Sequence, residues 1–154
     1  MLIRELICDV ARSYLGCPYR WAGQYPWPGA TRQHGGLDCS GFVIRVLRPF
    51  GLLPARGDWT ADQLSRLFEE TLNPQPGDLA VYGSGRASPE RNRRVTHIGF
   101  YLANRQVISA AGGNSRTTTL AAARRRGARV KIHRASYRRD LLGYRDITRK
   151  LSEV

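Results

Sequence analysis

Apolar residues recur every three or four positions at the start of the chain, at Leu2, Ile3, Leu6, Ile7, Val10, Ala11, Tyr14 and Leu15. That spacing predicts a helix with one buried face, stopped by Gly16 and Pro18. The helical period returns over 39–50 through Phe42, Val43, Val46, Leu47 and Phe50, with Asp38 placed to cap it and Gly51 to end it. A third helix is predicted from Thr60 to about Glu70, ahead of Asn73-Pro74. Beyond it the period drops to two, and 78–82, 95–102, 106–110, 128–134 and 142–147 are predicted strands, separated by clusters of Gly, Pro, Ser or Arg. Helices first and antiparallel strands after them is an α+β layout. Between the first two helices, residues 19–36 are rich in Gly, Pro, Trp and Tyr and predict an irregular loop with aromatic anchors.

The 154 residues suit one domain spanning 1–154, and the apolar runs are far shorter than the roughly 20 residues of a membrane helix. Arg4, Glu5 and Asp9 interrupt the first ten residues, which therefore read as a helix and not as a signal peptide. Charge changes this picture more than composition does. The net charge is +13, and Arg116, Arg124, Arg125, Arg126, Arg129, Lys131, Arg134, Arg138 and Arg139 crowd the last third. Such a field is either a solvated basic face or a surface for polyanions: nucleic acid, lipid headgroups, or the phosphates and carboxylates of a bacterial envelope. No zinc spacing, RNP-type aromatic motif or helix-turn-helix signal accompanies the arginines, which argues against specific nucleic-acid recognition.

Cys8, Cys17 and Cys39 are an odd, widely spaced set that suggests neither a disulfide framework nor a zinc pair, and no metal or cofactor is implied. Cys39 lies in the first turn of the second helix. A thiol there is a small core residue or a nucleophile whose pKa the helix N-terminus lowers towards neutrality. A nucleophile needs a base, and the chain offers His34, His97 and His133. His34 lies in the Gly-rich loop, and His133 shares a face with Lys131 and reads as a solvent-facing strand position. In VTHIGFYL, His97 alternates away from Ile98 and Phe100 and has Gly99 two positions on, which leaves space beside the imidazole. A thiol at a helix start and a histidine on the sheet packed against that helix form a hydrolase pair, in which the imidazole takes the thiol proton and later returns one to the leaving amine.

The segments LGCPYRWAG, LDCSGFV, TADQL, NPQPGDLAVY, VTHIGFYL and RQVISA resemble, in order and spacing, the NlpC/P60 cysteine peptidases of bacterial peptidoglycan. The resemblance implies a papain-like α+β fold with the Cys helix packed on an antiparallel sheet, Cys39 as nucleophile and His97 as base. It further implies that Tyr19, Asp38 and Ser40 line the substrate site, with Thr60 where the family often has a small hydroxyl residue. It also implies cleavage of a stem peptide at the bond between D-glutamate and a diamino acid. Ser109 stands where the family usually has a third polar residue, commonly His, that orients the imidazole. A three-residue turn at 103–105 would put Ser109 on the face of His97, and Asn114 is the reserve candidate. The loop between Trp21 and Leu37 is longer than usual and brings in Trp27, Arg32 and His34. The expected protein is a monomer without cofactor, made in the cytoplasm and acting at the wall, as a phage or prophage lysin or a tail-associated hydrolase. The alternatives are an inactive wall-binding module of the same fold and a basic nucleic-acid-binding protein.

Overall fold

The computed structural model describes residues 2–25, 36–83 and 94–151. In chain order the elements are α1 (Leu2–Ser13), β1 (Gln24–Tyr25), β2 (Gly36–Leu37), α2 (Cys39–Leu47), α3 (Ala61–Ser65), β3 (Phe68–Thr71), β4 (Leu79–Gly83), β5 (Val95–Tyr101), β6 (Gln106–Ala111), α4 (Leu120–Arg126), β7 (Arg129–Arg134) and β8 (Leu141–Lys150). Strands β3 to β8 form one antiparallel sheet in the order β3-β8-β4-β5-β6-β7, and β1 pairs with β2. None of the described helices is long and apolar enough to cross a membrane.

Helix α2 is the centre of the core. Gly41, Phe42, Val43, Ile44, Val46 and Leu47 are buried, and each large apolar side chain so covered contributes about 1.5–3 kcal/mol over the exposed state. The Phe42 ring stands edge-on to Tyr14 of the chain leaving α1 and to Phe100 of β5, with centroids 6.1 and 5.7 Å apart. Ile98 and Phe100 thus turn towards α2. The opposite face of the sheet carries a smaller cluster of Ala80, Tyr82, Val107 and Ala135. A buried ion pair ties α1 to the sheet: Arg4 donates to Asp78 at 2.6 Å and to Asp146 at 3.0 Å, while Asp78 also accepts from the Ile147 N–H at 2.9 Å.

The structure differs from the sequence expectation in three places, the first being the short β1–β2 pair in the segment expected to be irregular. The third helix stops at Ser65, and 68–71 form strand β3. Leu64, Leu67 and Phe68 keep helical spacing, but β8 offers an edge on which Glu70 lies opposite Arg145, 3.6 Å from its guanidinium, and the pairing decides the backbone. The arginine-rich stretch is helical over Leu120–Arg126, capped by the Thr119 hydroxyl and ended by Gly127 in the left-handed region at φ 63°. Only Ala123 of that helix is buried, so it carries no apolar stripe to read.

Candidate active site

The start of α2 is built by LDCSG itself. Asp38 is extended (φ −82°, ψ −178°), and its carboxylate accepts the Gly41 N–H at 2.6 Å and the Ser40 hydroxyl at 3.2 Å. Cys39 is therefore the first helical residue and stands half-buried at the helix mouth. Gly41 is required by approach: a Cβ there would run into the Gly23 carbonyl oxygen. The Cys39 thiol donates a long hydrogen bond, 3.9 Å, to the Thr96 carbonyl at the start of β5.

His97 lies one residue further along β5, opposite Tyr82 of β4 and on the sheet face away from Ile98 and Phe100. Its Nε2 is occupied, with Ser109 Oγ at 3.2 Å and Tyr137 Oη at 2.8 Å. Nδ1 is the nitrogen left for the thiol. Ser109 reaches this position because the β5–β6 turn has the expected length. Leu102 N–H donates to Gln106 at 2.8 Å and Phe100 pairs with Ile108, which sets Ser109 beside Gly99 on the face of His97. A Cβ on Gly99 would lie 2.8 Å from Ser109 Cβ and 2.7 Å from the Ile108 carbonyl, so only glycine lets the two strands bring His97 and Ser109 together.

Three positions depart from the sequence reading. His133 is not a solvated strand residue: it is half-buried on β7, with Nε2 3.1 Å from Ser109 Oγ. The Asn114 side chain is engaged locally, its Oδ1 accepting from the Arg116 N–H at 2.9 Å and the Thr117 hydroxyl at 3.4 Å, whereas the hydrogen bonds at His97 Nε2 come from Ser109 and Tyr137. Tyr137, in a short 3-10 turn after β7, was not foreseen as a partner of His97. Trp27, Arg32 and His34 lie outside the described residues.

The electrostatics also differ from expectation. Burial pushes the Cys39 thiol up to about 11 and the Asp38 carboxylate adds to the rise, while the backbone N–H groups of Ile98 and Ser40 and the Arg138 guanidinium oppose it without reversing it. Desolvation at this site outweighs the helix N-terminus. Burial, with help from Arg138 and His133, pushes His97 down to about 3. Asp38 is raised by burial, against its hydrogen bonds from Gly41 and Ser40. At neutral pH the resting pair is therefore thiol and neutral imidazole.

Cys39 and His97 line one cleft of about 740 Å3. Tyr19, Asp38, Ser40 and Thr60 line it too, as do Trp59 and Arg138. The Thr60 hydroxyl is engaged in capping α3, where it accepts the Gln63 N–H at 3.1 Å. Arg138 is held by both oxygens of Asp140, at 2.9 and 2.7 Å. No group of three or more His, Cys, Asp or Glu suited to a metal ion occurs among the described residues.

The NlpC/P60 family profile matches residues 16–139. The murein DD-endopeptidase MepS/murein LD-carboxypeptidase of Escherichia coli (strain K12) is 31% identical over 93 residues, 59% of this chain and 44% of that protein. The probable endopeptidase NlpC of the same strain is 33% identical over 105 residues, 67% of this chain and 58% of that protein. The chain thus spans about half the length of these curated relatives. The crystal structure of the NlpC/p60 domain of the peptidoglycan hydrolase SagA covers 93% of this chain and 97% of its own, with a TM-score of 0.62 at 26% identity. With a helix-start cysteine and a strand histidine on one cleft, and a family match running from the end of α1 through β7, this chain belongs to the NlpC/P60 family.

Proposed function

We propose that the chain is a cysteine peptidase that cleaves peptidoglycan stem peptides, with Cys39 as nucleophile and His97 as base. The observation that carries this reading is the shared cleft, in which His97 has Nε2 engaged from behind and Nδ1 left over. The Cys39 sulfur attacks the scissile carbonyl as His97 Nδ1 takes the thiol proton, and the carbonyl electrons move to oxygen. The backbone N–H groups of Cys39 and Ser40 in the first turn of α2 would stabilise that oxyanion. Collapse breaks the C–N bond, the amine leaves with the proton from His97, and water then hydrolyses the thioester with His97 again as base. With the resting pair neutral, the thiol proton has to pass to His97 on the way to sulfur attack. Ser109 supports the imidazole from behind.

Tyr19, Asp38 and Ser40 would hold the polar end of the stem peptide beside the nucleophile, with Thr60 on the facing wall. The bond is that between D-glutamate and a diamino acid. Digestion of purified peptidoglycan, with the released fragments identified by mass, tests both levels. Fragments cut at another bond overturn the bond assignment, and wall binding without release replaces the peptidase by an inactive binding module. The same protein added to permeabilised cells tests a phage or prophage lysin role, which unchanged turbidity would remove.

Arg124, Arg125 and Arg126 are exposed on α4, and Arg126 also lines the cleft. We propose that they hold the enzyme to the anionic wall by charge. Charges of this kind are screened beyond about 8 Å at physiological ionic strength. Sedimentation with intact wall material should weaken as salt rises and on replacing the three arginines by Gln; salt-independent binding refutes the charge account.

A further inference from the structure

The nitrogen that fixes His97 is reached by Tyr137 and by Ser109, and Ser109 is itself engaged from the far side. Its Oγ lies between His97 Nε2 and His133 Nε2, at 3.2 and 3.1 Å, and Ser109 is fully buried. The ring of Tyr137 stacks on His133, with centroids 3.7 Å apart and planes at 24°. A hydroxyl has one proton to give. For His97 to take the thiol proton at Nδ1, its Nε2 must carry a hydrogen, which Tyr137 Oη and Ser109 Oγ are both within reach to accept. When Ser109 accepts, its own proton must go to another neighbour, and His133 Nε2 at 3.1 Å is an acceptor for it.

We propose that His133 is a positioning residue for His97: by accepting the Ser109 proton it turns the Ser109 oxygen towards the His97 Nε2–H, and so favours the tautomer that leaves Nδ1 free to take a proton. The chain thereby takes a histidine from one strand further out and connects it through a serine. The surroundings suit that role. Burial, with Lys131 adding to it, pushes His133 down to about 4, so that it is neutral and able to accept near pH 7. Lys131, on the same face of β7, directs its ammonium to the Gly127 carbonyl at 3.2 Å. The stacked Tyr137 fixes the plane of the His133 ring.

The kinetic arm of the test rests on the peptidase reading above; the spectroscopic arm does not. The chain has three histidines, so long-range proton–nitrogen spectra of the labelled protein resolve the tautomer of each ring. Wild type should show His97 protonated at Nε2. His133→Ala should shift it to a mixture, and His133→Gln, whose amide oxygen accepts the same proton, should restore it. On a soluble stem peptide, kcat should fall about tenfold in His133→Ala, with KM within twofold, and recover in His133→Gln. Ser109→Ala combined with His133→Ala should be no slower than Ser109→Ala alone, because both act through one chain of hydrogen bonds. An unchanged His97 tautomer in His133→Ala, or losses that add in the double variant, overturns the proposal. If wild type cleaves no stem peptide, the peptidase reading falls and the tautomer result still decides the role of His133.

Discussion

Cys39→Ala is expected to lose stem-peptide cleavage by a factor on the order of 10^4 or more, while the protein still folds. The covalent route disappears with the sulfur, and what remains is only the binding and electrostatic assistance of the cleft. The fold should survive because Asp38 caps α2 through the Gly41 N–H, a bond that does not involve the thiol. Labelled-peptidoglycan release read beside a thermal melt checks both halves. A folded alanine variant with undiminished turnover removes Cys39 from the mechanism.

His97→Ala should cost about 10^2–10^4-fold at pH 7, since one side chain serves as base to the thiol and as acid to the leaving amine. The size of that loss should depend on pH in a definite direction. With the thiol pushed up to about 11, the thiolate fraction grows tenfold per pH unit throughout the neutral range, so the variant should recover partly as pH rises. In wild type, alkylation of Cys39 by iodoacetamide should likewise climb without a plateau between pH 6 and pH 9. A plateau there would reveal a preformed thiolate and imidazolium, and would show that the N–H groups at the start of α2 outweigh desolvation after all.

The two long helices were legible from the helical spacing of their apolar residues, and the strands from β4 onwards from short apolar runs bounded by Gly, Pro, Ser or Arg clusters, even where a strand such as β4 is buried on both faces. Strand β3 was not, because its conformation comes from a partner: Glu70 pairs with Arg145, 75 residues away. Helix α4 was hidden for the opposite reason, resting on Thr119 and Gly127 at its ends with a single buried alanine between. In the site, Cys39 and His97 could be read from a cap and an alternation, and Ser109 from the length of one turn. His133 and Tyr137 could not. Their positions depend on the β6–β7 register, in which Val107 lies opposite His133, and that register is set across the connection from Gly112 to Ala128. The direction of the Cys39 shift was also beyond the sequence, because a helix start announces itself in residue types whereas the loss of water is a property of the packed site.

The neutral resting thiol has a consequence for the lifetime of the protein. Peroxide and related oxidants attack the thiolate, and a cysteine that is mostly protonated enters the sulfenic, sulfinic and sulfonic series slowly. Burial at Cys39 thus leaves the sulfur dependent on a base for reactivity and shelters it from oxidants at rest. Inactivation by peroxide should follow the same rising pH curve as alkylation.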